Sequence, residues 1–316
     1  MHRWLYRIIV VLLVGITACQ PIPAKPMGAE RRLSVVATTS IVGDVVRQIG
    51  GEAIDLTVLL RPGVDPHTFE PSPQDAARVA GADVLFVAGA GLEAFLEPLL
   101  QQAGGRARRV DLSEGLPLLP FEAGMEEHED HKHEEEAHSH GPMDPHVWLD
   151  PHNVITWTFT IEGALSQLDP DRAEVFRRNA EAYRAELRAL DGWIRSQVAL
   201  IPPDRRLLVT EHQVFGYFAH RYGFEQAGVI MPGVTTAAQP SAQEIARLEE
   251  TIRSKGIRAI FVSSTVDPAL ARRIAEDTGA RLVRLYVDSL SEPGGEADSY
   301  VKMMRYNVQA IVEALR

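Results

Sequence analysis

From Leu33 onward, short apolar, β-branched runs alternate with stretches whose apolar residues recur at helical spacing. Leu33-Ser34-Val35-Val36-Ala37-Thr38 reads as a strand, and Ile41 to Ile49 as a helix with Ser40 as its N-cap. Ile54 to Leu60 is a second strand. Ser72 to Ala80 is a second helix, with Pro73 at the first position, where a missing N–H does no harm. Asp83 to Ala88 is a third strand and Leu92 to Gln102 a third helix. This order predicts a parallel sheet flanked by helices.

The pattern then changes. Phe176, Tyr183, Leu187, Leu190, Ile194 and Val198 are spaced by 7, 4, 3, 4 and 4 residues, which is one helical face. Pro170 opens this stretch and Pro202-Pro203 closes it, so Leu168 to Leu200 is expected to be one helix of ~45 Å. After it, strand-like runs at Leu207–Thr210, Arg258–Ser263 and Arg281–Val287 alternate with helical runs at Val214–Tyr222, Ser241–Lys255 and Pro268–Thr278. Tyr300 to Leu315 is a terminal helix. The expectation is an α/β protein of two lobes, each a parallel sheet flanked by helices, joined by one long rigid α-helix. The lobes are placed at 33–167 and 202–316, with the linking helix at 168–201.

The N-terminus does not fit this alternation. His2, Arg3 and Arg7 precede the apolar run Ile8 to Ile16, which is long enough for an export signal and too short to span a bilayer. Ile16-Thr17-Ala18-Cys19 resembles the lipobox of bacterial lipoproteins. That resemblance implies that residues 1–18 are a signal peptide and that Cys19 carries lipid, with Pro21, Pro23 and Pro26 in a tether over 19–32. The protein is therefore expected outside the cytoplasm, on the periplasmic or extracellular face of the cell membrane. Cys19 is the single cysteine, so neither an internal disulfide nor a thiolate metal site is available. A net charge of −11 argues against nucleic acid, whose phosphates are bound through Lys and Arg.

Five of the eleven histidines, His128, His131, His133, His138 and His140, fall between Glu126 and His140 with seven acidic residues and one lysine. This insert, placed at 122–142, has too little apolar surface to build a core and is expected to be disordered. Tracts of this kind capture metal loosely through many equivalent sites. Elsewhere, Asp-Pro-His occurs three times, at Asp65-Pro66-His67, Asp144-Pro145-His146 and Asp150-Pro151-His152. Proline stiffens the chain just before each histidine, which suits a pre-positioned ligand, but local chemistry does not choose among the copies.

Four stretches narrow the choice. They are Thr38-Thr39-Ser40 with Arg61-Pro62-Gly63-Val64-Asp65-Pro66-His67-Thr68-Phe69-Glu70; Asp144-Pro145-His146-Val147-Trp148-Leu149-Asp150-Pro151; His212-Gln213-Val214-Phe215-Gly216-Tyr217-Phe218; and Tyr286-Val287-Asp288-Ser289-Leu290 followed by Tyr300-Val301-Lys302-Met303-Met304. In this order they resemble the metal-binding lipoproteins of bacterial zinc and manganese ABC importers, the zinc-uptake members most of all. The resemblance covers nearly all of Leu33 to Arg316. It implies one metal between two lobes, held by His67 and His146 from the first and His212 and Asp288 from the second. It also implies a monomer that hands Zn²⁺, or alternatively Mn²⁺, to a permease with its ATPase. Manganese-binding members carry Glu at the third position. Here the Phe215-Gly216-Tyr217-Phe218 spacing aligns His212 there and leaves Glu211 one residue off register. His152 and His220 match no ligand position and are expected at a helix start and on an exposed helix face.

Three imidazoles and one carboxylate suit tetrahedral Zn²⁺, whereas Mn²⁺ prefers more oxygen. Other readings rest on less. Gly89-Ala90-Gly91-Leu92-Glu93-Ala94 matches a dinucleotide-binding pattern, but the resemblance reads it as a tight turn. A zinc metallohydrolase would need an open coordination position, and nothing in the chain speaks for an adhesin's receptor. No enzymatic activity is expected.

Overall fold

The structure, a computed structural model, describes residues 31–104, 107–121, 143–233, 236 and 239–316. The segment around Cys19 and the histidine-rich insert lie outside the described residues. In chain order the regular elements are β1 (Leu33–Ala37), α1 (Ser40–Gly50), β2 (Ile54–Val58), α2 (Pro73–Ala80), β3 (Val84–Val87), α3 (Leu96–Ala103) and β4 (Arg108–Asp111). Then follow α4 (Pro151–Leu168), α5 (Ala173–Val198), β5 (Leu207–Thr210), α6 (Gly216–Tyr222) and β6 (Glu225–Val229). The chain ends with α7 (Ala242–Ser254), β7 (Ala259–Ser263), α8 (Ala269–Thr278), β8 (Arg281–Leu285) and α9 (Tyr300–Leu315).

Two four-stranded parallel sheets repeat one topology, β2-β1-β3-β4 and β6-β5-β7-β8. Alternate residues of each strand face opposite layers. Val35, Ala37, Val84 and Phe86 point into a core shared with α1, α4 and α5, while Val36, Leu85 and Val87 pack toward α2 and α3. In the second sheet Ala259 and Phe261 join the shared core, and Ile260 and Val262 pack toward α7 and α8. The predicted face of the long helix is buried from Phe176 to Val198 in this same core. α5 packs on α1, α4 and α9, and one apolar interior runs through both halves.

Pro73 stands in the first turn of α2, as expected. Ser72 and Asp75 form a capping box on α2, and Ser241 and Glu244 form one on α7. Two expectations are corrected. The N-cap of α1 is Thr39, whose side chain accepts from Val42 N–H, and not Ser40. The long helix does not begin at Leu168, which is the last residue of α4. Asp169-Pro170 breaks the chain, a 3-10 turn follows over Pro170–Arg172, and α5 runs for 26 residues, ~39 Å. Three elements escape the periodicity. β4 and β6 are polar edge strands without clean alternation. α4 is rich in β-branched residues and buries several of its faces.

Candidate metal centre

A parallel sheet presents all its carboxyl ends on one edge, and ligands gather there. His67 sits in the loop from β2 to α2, and His146 in the segment leading into α4. His212 follows the end of β5 at Thr210, and Asp288 follows the end of β8 at Leu285. Four loops that are distant in sequence thus meet where the two sheets face each other.

The four side chains offer donor atoms that lie within 4.8 Å of one another. His67 Nε2 is 3.2 Å from His146 Nε2. Asp288 Oδ1 is 3.9 Å from His67 Nε2, 3.7 Å from His146 Nε2 and 3.8 Å from His212 Nε2. A tetrahedral ion with bonds of ~2.0–2.1 Å spaces its donors by ~3.4 Å, so the cluster has the dimensions of a coordination shell. His212 Nε2 and Asp288 Oδ1 are buried without a hydrogen-bond partner. Each such atom costs about 1–3 kcal/mol unless something pairs with it, and a cation at the centre would pair with both.

The local electrostatics differ from ring to ring. Burial holds the His67 imidazolium down to about 3; Asp288 opposes this, and the His146 and His212 rings add to it. Burial also pushes His212 downward, but Asp288 and Glu211 outweigh it and hold the group above its ordinary value. His67 is therefore a ready neutral donor, whereas at His212 the neighbouring carboxylates favour the protonated ring, so a cation competes with a proton more strongly there.

Two of the rings have a carboxylate behind them. Asp144 Oδ1 accepts the His146 backbone N–H at 2.9 Å and lies 2.8 Å from His146 Nδ1, so that Nε2 faces the cluster. Asp144 Oδ2 in turn lies against α6. A Cβ on Gly216 would come within 2.3 Å of it, so this position needs glycine. Glu211, unassigned in the sequence reading, has Oε1 3.3 Å from His212 Nδ1. Its carboxylate approaches the Nδ1 side of the ring and is not among the four side chains whose donor atoms converge.

Hydrogen bonds between the two halves grip the Asp288 segment on both sides. Trp148 Nε1 donates to Val287 O at 2.7 Å, Leu290 N to Ser40 Oγ at 3.0 Å, and Gly63 N to Ser289 Oγ at 2.8 Å. Ser263 Oγ donates to Asp288 Oδ2 at 3.1 Å. Further along, Tyr300 N donates to the buried Asp44 carboxylate at 2.9 Å, and Tyr300 OH to Trp148 O at 2.7 Å. Ser40 and Ser289 fall inside the quoted stretches, but nothing local shows that they meet, and Ser263 lies in none of them, because the partners are remote in sequence.

The remaining histidines lie elsewhere. His152 is exposed on the first turn of α4, where Asp150 caps the helix, and His220 is exposed on α6. His128, His131, His133, His138 and His140, like Cys19, are among the residues not described. The glycine-rich turn does not suit a pyrophosphate. Ala88 and Gly89 N–H already donate to Glu93, and Ala90 N–H to Ser113 Oγ, so the amides a phosphate would need are taken.

Two matched parallel sheets around a buried cluster of imidazoles and a carboxylate define a binding protein for a divalent metal ion. The chain belongs to the family described as zinc-uptake complex component A, periplasmic, whose model matches residues 35–314. It is 32% identical over 300 residues to the manganese-binding lipoprotein MntA of Bacillus subtilis, covering 91% of each chain. It is 31% identical over 319 residues to the metal ABC transporter substrate-binding lipoprotein ScbA of Streptococcus cristatus, covering 98% of each. Among solved structures it is similar to the periplasmic zinc-binding protein TroA of Treponema pallidum, with a TM-score of 0.79 and 27% identity over 90% of this chain and 99% of that one. The chain is a metal-binding component of an uptake system, and not an enzyme.

Proposed function

We propose that this protein binds Zn²⁺ through His67, His146, His212 and Asp288 and delivers it to the permease of an ABC importer. In this reading it works as a monomer on the outer face of the cell membrane, anchored by lipid on Cys19, while the ATPase drives transport from the other side. The observation that carries it is the convergence of three imidazole nitrogens and one carboxylate oxygen within 4.8 Å. Nitrogen-rich, four-donor surroundings favour Zn²⁺ over Mn²⁺, which lies lower in the affinity order and seeks more oxygen. Four protein donors complete a tetrahedron and leave no place for a reacting water, as befits carriage. The histidine-rich insert serves as an accessory that captures metal loosely.

A second reading has its own support. Relatives such as MntA of Bacillus subtilis are named manganese-binding, and a bidentate Asp288 would raise the coordination number toward what Mn²⁺ takes. Calorimetric titration of metal-stripped protein with each ion separates the two. One tight zinc site with far weaker manganese binding is expected. Comparable tight manganese binding would transfer the role to Mn²⁺. Loss of no site in His146→Ala would overturn the ligand set.

A further inference from the structure

We infer that Glu211 is a positioning residue that orients His212 and strengthens it as a donor; this rests on the reading of His212 as a ligand. Glu211 is 4% exposed, one residue from His212 in the turn that leaves β5. Its Oε2 accepts the Ser263 backbone N–H at 3.1 Å. Its Oε1 is buried, has no hydrogen-bond partner and lies 3.3 Å from His212 Nδ1, which is likewise unpartnered. A slight turn of the imidazole converts this approach into a hydrogen bond and satisfies both atoms.

The arrangement repeats what the other half of the molecule does with a different residue. Asp144, 1% exposed, stands behind His146 at 2.8 Å, so one imidazole from each sheet has a buried carboxylate on the side away from the cluster. The His67 ring, by contrast, meets His146 and Asp288 through Nε2. A carboxylate that accepts Nδ1–H fixes the tautomer with Nε2 free and makes the ring a better donor.

Ser263 extends the arrangement. Its N–H holds Glu211 while its Oγ donates to Asp288 Oδ2 at 3.1 Å. One residue at the end of β7 thus sets both the backing of His212 and the orientation of the carboxylate donor.

The test uses the full metal-stripped protein as wild type, Glu211→Gln, Glu211→Ala and His212→Ala. Zinc affinity is measured by competition with a chromophoric chelator, and the His212 Nδ1–H resonance is followed in zinc-loaded protein. Glu211→Ala is expected to weaken zinc binding ~10–100-fold. Glu211→Gln, which keeps shape and an acceptor, should recover part of that loss. The Nδ1–H signal should move in Gln and vanish by exchange in Ala. Zinc affinity within twofold of wild type in Glu211→Gln and Glu211→Ala, with the site lost in His212→Ala, would overturn this inference alone. A weaker site with an unmoved Nδ1–H resonance would also overturn it, because Glu211 would then act through Ser263 and not through His212. A tight site that survives His212→Ala would overturn the ligand assignment itself. The isosteric Gln variant keeps the comparison decisive if the Ala variant does not fold.

Discussion

The hydroxyls of Ser40 and Ser289 meet at 3.2 Å across the boundary between the two sheets. Ser40 belongs to the first turn of α1, and Ser289 follows Asp288 directly. Ser289 Oγ also accepts Gly63 N–H, from the loop that carries His67. A single buried hydroxyl therefore ties together the segments that present two of the four clustered side chains.

Removing that hydroxyl should loosen the site without touching a donor. Ser289→Ala leaves the Gly63 N–H without its acceptor, at a cost of about 1–3 kcal/mol. A lower melting temperature and faster zinc release to a chelator in stopped-flow are the expected outcomes. Unchanged release would show that the His67 loop is held by other contacts.

Acid should unsettle the metal-free fold through His67. Burial lowers its folded-state value from 6.5 to about 3. Below about pH 6.5 the unfolded chain takes up a proton there that the folded protein refuses, so stability falls on acidification toward pH 3. His212 has the opposite sign. Its folded value is raised, so its stabilising proton is fully present below pH 6.5 and is lost as pH rises through the raised value. The unfolding free-energy difference between wild type and His67→Gln, from urea titrations in chelator, should shrink by about 2 kcal/mol from pH 7.5 to 5. A difference that stays constant with pH would contradict a neutral, buried His67.

The two sheets should unfold as one. Leu187 and Leu190 of α5 lie in an apolar cluster that also holds Phe86 of the first sheet and Phe261 of the second. Leu187→Ala is expected to cost about 2–5 kcal/mol and to lower a single transition seen alike by far-UV and near-UV circular dichroism. Two separated transitions would mean that the halves are independent. The same continuity predicts little change in radius of gyration when zinc is stripped, and a marked expansion in solution scattering would argue for hinge opening.

The three Asp-Pro-His copies should separate sharply in function. His67→Ala and His146→Ala are expected to abolish the stoichiometric zinc site in calorimetry. His152→Ala, on an exposed helical turn, should leave affinity within about twofold, the range of a surface change of ±0.5 kcal/mol. A large loss at His152 would place it in the site after all.

Those three copies mark the border between local and tertiary information. In each, the Asp carboxylate accepts the histidine's backbone N–H, at 2.9, 2.9 and 2.8 Å. A short acidic side chain two residues before an amide favours that bond, so the sequence by itself determined the same local hydrogen bond three times. It also determined the alternating elements, the apolar face of α5 and the capping boxes, because each depends on residues a few positions apart. It carried the site only through four motifs met together, whose His67, His146, His212 and Asp288 stand 79, 66 and 76 positions apart. Tertiary structure decided the rest. It turned the third copy into the start of α4, exposed His152, and brought Ser40 to Ser289 and Ser263 to Asp288. Two parallel sheets facing one another by their carboxyl edges bring loops together that no local periodicity relates. Which side chain meets which is then fixed by packing across the shared core, not by neighbours along the chain.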